Sequence, residues 1–161
     1  MDVSDTPLDR SCVPRLEREQ VVRRPLGEVF EFFSEAANLE RITPPWLHFR
    51  LLTPAKVEMR AGVKIEYRLR LHGIPLGWTS LIEVWEQDVR FVDCQIRGPY
   101  RLWRHEHRFT AVDGGAATRV QDRVDYLLPV GRLGALALPL VRRDLRRIFD
   151  YRQAAVADLL G

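Results

Sequence analysis

One long helical pattern closes this chain, and it follows an almost unbroken series of strand-like segments. From Gly131 to Leu160, apolar residues recur at Leu133, Leu136, Leu140, Leu145, Ile148, Phe149, Val156 and Leu159. Steps of three, four and five describe a helix with one stripe to bury. Between about Arg15 and Leu128 the pattern is instead short alternating segments, punctuated by Gly, Pro and Asp. A lone long helix after many strands must bury its stripe against the sheet face. It touches a broad curved sheet along one line only, and the space beside that line is where a small molecule could sit.

At 161 residues the chain is the size of one domain and buries enough surface to need neither disulfide nor metal for stability. Residues 1–14 are polar with two prolines and read as a flexible leader; residues 15–161 read as a single domain. No apolar run approaches the roughly 18 residues of a membrane-spanning helix. The N-terminus, with Asp2, Asp5 and Asp9, lacks the order of a signal peptide. Cys12 lies in the leader and Cys94 in a strand pattern, so both read as reduced thiols of a cytoplasmic protein. The net charge is only +3, and Arg and Glu interleave along strands, as in Lys64, Glu66, Arg68 and Arg70. That is a solvated sheet face rather than a nucleic-acid surface.

The first strand is expected over Leu16–Arg23. Leu26, Val29, Phe30 and Phe33 then fall at helical spacing after Pro25, giving a helix over Pro25–Glu35. A second short helix over Ala36–Ile42 is stopped by Pro44 and Pro45. Strand two is expected over Leu47–Leu52. Val63, Ile65, Tyr67, Leu69 and Leu71 give the cleanest alternation in the chain. Further strands follow over Leu76–Glu86, Arg90–Arg97, Tyr100–Val112 and Thr118–Leu128, with Asp113-Gly114-Gly115 marking a hairpin. Seven mostly consecutive strands make an antiparallel meander the economical topology. Pro139 either breaks or bends the final helix.

The order of strand, two short helices, six strands and a long last helix resembles the helix-grip fold of the START-like, or SRPBCC, superfamily. That α+β fold has a curved seven-stranded antiparallel sheet with the C-terminal helix packed across it. Three segments carry the resemblance: Pro25–Phe33 with Asn38-Leu39 and Ile42–Pro45; Gly98-Pro99-Tyr100 with Trp103–Phe109; and Leu128-Pro129, Gly131 and the Arg-rich last helix. It implies a shared cavity, on which chemistry varies from none to cyclisation.

Trp103, His105, His107 and Phe109 alternate onto one strand face, with Arg104, Glu106 and Arg108 on the other, so the histidines should point inward. Two imidazoles at i, i+2 can share a metal ion or a polar ligand group. A metal needs at least one more ligand. Asp93, Gln95 and Asp122 lie on neighbouring strands, but spacing does not show that they converge. The plainer reading has both histidines buried and satisfied across the sheet, and no metal or cofactor is expected. Asp93, Gln95 and Arg97 alternate against Val92, Cys94 and Ile96, and which set faces inward stays open. Tyr67, Trp78, Tyr126 and Phe149 sit on apolar faces, as core or as pocket wall. Arg142, Arg143, Arg146 and Arg147 read either as a solvated helix face or as a basic face for a membrane surface.

The function that follows is binding or transport of a small hydrophobic or amphipathic molecule, such as a lipid, polyketide or aromatic metabolite. Its contacts are expected from Tyr67, Trp78, Asp93, Gln95, Trp103, His105, His107, Phe109, Tyr126 and Phe149. The alternative implied by the resemblance is a polyketide cyclase/dehydrase-like enzyme using His105 or His107 as acid and base. The expected partner is the small ligand, with no nucleic acid and no membrane span; a weak homodimer stays open.

Overall fold

The structure, a computed structural model, describes residues 13–54, 56–129 and 131–161, without the side chains of Arg132 and Leu133. Cys12 and most of the expected leader lie outside the described residues. Strand β1 (Arg15–Val22) leads into helices α1 (Leu26–Ser34) and α2 (Asn38–Arg41), then a 3₁₀ turn (Pro45–Leu47). Strands β2 (Arg50–Leu51), β3 (Lys64–Leu71), β4 (Ile74–Glu86), β5 (Arg90–Arg97), β6 (Leu102–Val112) and β7 (Ala117–Leu127) precede helix α3 (Gly131–Leu160). All seven strands form one sheet in the order β1-β7-β6-β5-β4-β3-β2, with every neighbour antiparallel. This is the helix-grip fold. Strand two is shorter than expected, because Pro45 favours the tight turn that takes up Leu47.

Helix α1 forms because Leu26, Val29, Phe30 and Phe33 fall on one face, and that face is driven into the sheet. Phe30, only 1% exposed, meets the rings of Trp85, Phe91 and Phe109 at centroid distances of 5.2, 6.1 and 5.1 Å. Val22, Val120 and Val156 complete this cluster, so β1, β7 and the end of α3 share it.

α3 is continuous from Gly131 to Leu160, with Pro139 inside it, so the helix is not broken there. Pro139 denies a hydrogen bond to the carbonyl of Ala135, but both residues are exposed, so water can serve instead. The buried stripe also differs from the expected one. Leu145, Phe149 and Val156 are buried, with Leu138, Val141 and Ile148 packed beside them. Leu136 is 79% exposed and Leu140 44%. At about 100° per residue Leu136 lies diametrically opposite Leu145, so only one of the two can face the sheet. Leu159, 38% exposed, has the right phase but falls in the last turn, where Leu160 packs instead.

Polar contacts pin α3 to β1, the strand at the sheet's edge. Arg18 pairs with Asp150 at 3.0 Å, Gln153 Nε2 donates to the Glu19 carbonyl at 3.0 Å, and Arg24 Nε, just past β1, donates to the Leu160 carbonyl at 2.8 Å. Asp144 accepts from His72 Nε2, at the tip of the β3–β4 hairpin, at 2.6 Å. Helix acids thus reach basic groups of the sheet and its hairpin. Arg142, Arg143, Arg146 and Arg147 are all exposed, as either reading of that cluster requires.

The arrangement predicts a sharp contrast between two apolar positions. Phe30→Ala should cost about 3–5 kcal/mol of unfolding free energy, whereas Leu136→Ser should stay within about 0.5 kcal/mol. Urea denaturation followed by circular dichroism reads both, and equal losses would contradict the burial assignment.

Candidate functional site

The inward residues of β3 show where the helix fails to cover the sheet. Ile65 is buried, yet Tyr67, Leu69 and Leu71 on the same face are only half-buried, while Lys64, Glu66, Arg68 and Arg70 face solvent. Those half-covered side chains border a partly open cavity of about 190 Å³ between the sheet and α3. Leu145, Phe149 and Arg152 of α3 form its roof, and Phe32 and Phe33 of α1 close one side. Asn38, Leu39 and Ile42, in and just after α2, reach the same space. The floor is Tyr67, Trp78, Ser80, Ile82, Phe91 and Asp93, continued by Trp103, His105 and His107.

Of the expected site residues, Tyr67, Trp78, Asp93, Trp103, His105, His107 and Phe149 therefore border one cavity. Gln95, Phe109 and Tyr126 are not on its wall, and each has a physical reason. Phe109 lies under α1 against Phe30 and Phe33. Tyr126, 2% exposed, is packed with Leu16, Val124, Leu145 and Phe149. Gln95 clamps the following turn, donating from Nε2 to the Tyr100 carbonyl at 2.6 Å and accepting from the Tyr100 N–H at 3.1 Å. A Cβ on Gly98 would run into Gln95 Oε1, so the clamp requires glycine there. Its product is the placement of Tyr100, whose ring lies 4.9 Å from Trp103 and 5.6 Å from Trp78.

Parity on β5 is settled by the same geometry. Phe91 and Asp93 face inward, whereas Cys94 lies near Glu83 and Arg104 and Ile96 is 50% exposed. Arg97 is exposed at the strand end.

Strand register assembles a compact cluster from two histidines and two aspartates. Asp93 of β5 stands directly across from His105, and Asp122 of β7 directly across from His107. Side chains so paired, and their diagonal neighbours, come within contact distance. His105 Nε2 lies 2.8 Å from Asp122 Oδ1, and His107 Nε2 lies 3.2 Å from Asp93 Oδ2. His107 Nδ1 is 3.0 Å from Asp122 Oδ1 but misaligned, so it makes no well-formed hydrogen bond. The two imidazoles lie 3.7 Å apart, with Phe91 stacked on His107 at 4.3 Å. Asp93 is further held by Ser80 Oγ at 3.4 Å, which itself accepts from Trp78 Nε1 at 3.1 Å.

The electrostatics of the four groups are mutual. Burial and the neighbouring His107 charge push His105 down to about 4, against the pull of Asp122. Burial also opposes a charge on His107, but contact with Asp122 and Asp93 outweighs it and raises that group. Burial would raise both carboxyls, yet the histidine contacts hold Asp93 low and Asp122 well below the usual carboxylate range. Two carboxylates, one imidazolium and the Arg152 guanidinium beside the cavity leave the wall near neutrality. Arg152, Ser80 and Phe91 are not among the expected site residues, nor is Tyr100, which the sequence marks only within the family resemblance. Ser80 shares strand parity with Trp78 and Ile82, and Arg152 falls on the buried stripe of α3 seven residues after Leu145, so both signals were present.

Residues 22–150 match the polyketide cyclase / dehydrase and lipid transport family. The chain belongs to that family. No curated protein matches it. Among solved structures, the Zhui aromatase/cyclase of Streptomyces sp. R1128 is similar at a TM-score of 0.71 and 18% identity, covering 92% of this chain and 93% of that one. A START superfamily protein of Mycobacterium smegmatis is similar at 0.66 and 11%, covering 91% and 96%. A protein of Thermus thermophilus is similar at 0.64 and 19%, covering 90% and 95%. At such identities the likeness is one of fold, and this family member's chemistry rests on its own wall residues. Among the described residues no helix is long and apolar enough to cross a membrane.

The charge assignment has a direct pH signature. A raised His107 contributes stability that is complete below its ordinary value near 6.5 and lost as pH rises through the folded value. His105 acts oppositely, since between about pH 6.5 and 4 only the unfolded chain takes up its proton. The depressed Asp93 and Asp122 contribute above their ordinary values near 3.8, and that contribution fades as pH falls through the folded values. In ¹⁵N NMR of metal-free protein, one buried imidazole should remain cationic above pH 6.5 and the other neutral down to about pH 4. Two buried rings titrating together near 6.5 would overturn the assignment.

Proposed function

We propose that this protein binds a small hydrophobic or amphipathic molecule, with its apolar body among the cavity aromatics and its polar end toward Asp93, His107 and Arg152. The supporting observation is the half-buried inward face of β3 beside a void of about 190 Å³. Engineered apolar cavities of about 150 Å³ take up benzene, so this space suits a ring compound or the leading part of a longer chain. Burying about 300 Å² of ligand surface supplies about 7 kcal/mol before association costs. The polar groups are few and convergent, as in small-molecule sites generally.

Leu69 is the residue to alter, because it faces the cavity without belonging to the charged cluster. Leu69→Trp should fill the void and weaken binding of an apolar fluorescent naphthalene probe by about tenfold or more, a loss of about 1.4 kcal/mol, with the fold intact by circular dichroism. A wild-type protein that leaves the probe's emission unchanged, or a variant that binds it equally well, counts against the reading.

A second reading is supported by the cluster itself, since a carboxylate-anchored imidazole on a cavity wall is the arrangement of a general acid or base. The family includes cyclases and dehydrases. His107→Gln separates the two: lost turnover of a polyketide-like substrate with retained probe binding favours catalysis, while lost binding favours a carrier.

A further inference from the structure

We propose that Asp93, His105 and His107 form a binding site for a divalent transition-metal ion of the zinc or ferrous-iron class, with Asp122 behind the two rings and hydrogen-bonded to His105. The argument begins with which nitrogen is engaged where. His105 Nε2 is used by Asp122 at 2.8 Å, and Asp122 Oδ1 also stands 3.0 Å from His107 Nδ1. One buried carboxylate therefore lies on the far side of both rings, and the opposite nitrogens, His105 Nδ1 and His107 Nε2, turn toward Asp93 Oδ2. His105 Nδ1 stands 3.8 Å from that oxygen, too far for a hydrogen bond. Its lone pair therefore has no protein partner among the described residues.

The distances suit a shared ion. Ligands at about 2.1 Å from one ion stand about 3.0–3.4 Å apart in tetrahedral or octahedral geometry. Asp93 Oδ2 is 3.2 Å from His107 Nε2, and one donor atom from each of the three residues lies within 4.8 Å of the others. His105 Nδ1 is 3.8 Å from the same oxygen, so a bound ion would draw the three groups closer together. Two imidazoles and one carboxylate are the donor set of catalytic zinc and non-haem iron sites, and imidazole disfavours magnesium or calcium. A carboxylate that accepts the outer N–H of a ligating histidine is the usual support of such sites. All three donors border the cavity, so an ion held there would keep coordination positions open to water or to a ligand oxygen. Phe91 and Phe149 pack against the imidazoles, and of the polar neighbours, Ser80 on Asp93 and the Arg152 guanidinium, only Ser80 carries a lone pair that competes for an ion.

The inference goes beyond the binding of an organic molecule and does not rest on it. It also conflicts with a free histidine base, because an occupied site engages both imidazoles. The test is to strip the whole chain with chelator and titrate it with Co²⁺ alone, read by visible absorption and by competition with a chromophoric chelator. The expected result is about one tightly held ion per chain with the intense absorption of four- or five-coordinate cobalt. Asp122→Asn should weaken binding by about 10- to 100-fold, Asp93→Asn and His107→Gln by more, and His72→Gln not at all. If the variants do not fold, wild-type NMR still decides: paramagnetic Co²⁺ should broaden His105 and His107 while exposed His48 and His72 stay sharp. Weak binding with only the pale absorption of octahedral cobalt, or broadening confined to His48 and His72, would overturn the site. Cobalt failure with retained probe binding rejects the metal alone, and the converse rejects the apolar-ligand reading alone.

Discussion

A single helix must satisfy an edge strand and cover a seven-stranded sheet, and it can do only the first completely. Arg18, the Glu19 carbonyl and Arg24 draw α3 to the β1 side, where unpaired strand groups otherwise invite another chain. Leu145, Phe149 and Val156 then seal that half of the interior. The half built from β3, β4 and β5 receives no helix of its own. The edge of α3 overhangs it, and side chains of α1, α2 and the segment after them reach toward it from one end. Tyr67, Leu69 and Leu71 are left apolar, inward and incompletely covered, and the cavity follows from where the helix is fastened.

The charged cluster lies where those two halves meet. His105 touches Phe149 of the roof at a ring distance of 5.4 Å, and His107 touches Phe33 of α1 at 6.3 Å. Each of its four members would be costly if buried alone, since removing one partner of a buried ion pair typically costs about 3–5 kcal/mol. Apolar side chains of similar size would do the structural work at no such cost. Three of the four, Asp93, His105 and His107, border the cavity, the setting in which perturbed ionisable groups cluster at functional sites.

Much of this was legible in the sequence because β structure writes its faces in alternation. Val63 to Leu71 and Trp103 to Phe109 revealed their inward sides without knowledge of neighbours. β5 did not, because its residues on both faces are mixed and the bulges in the β4–β5 pairing are tertiary features. Convergence of Asp93 and Asp122 on the histidines depends on register, which spacing alone does not state. Leu136 and Leu140 misled for another reason. In a run as apolar as Leu133 to Val141 every face looks buried, and only contact with the sheet selects Leu138 and Val141. Tyr126 and Phe109 carried the right parity but lie where the helices already seal the sheet.

The 3₁₀ turn at Pro45–Leu47 is fastened to the helix through exposed groups. Trp46 meets Tyr151 edge-on at 5.4 Å, and the Arg147 guanidinium lies 4.3 Å from the Trp46 ring. Such an exposed cation–π contact is worth only about 0.5–1 kcal/mol, against several for the interior. A clasp that weak opens far more readily than the body around it unfolds. The same turn carries Leu47 to the cavity wall, so for the ligand proposed above this clasp is a part that could yield while the sheet stays whole.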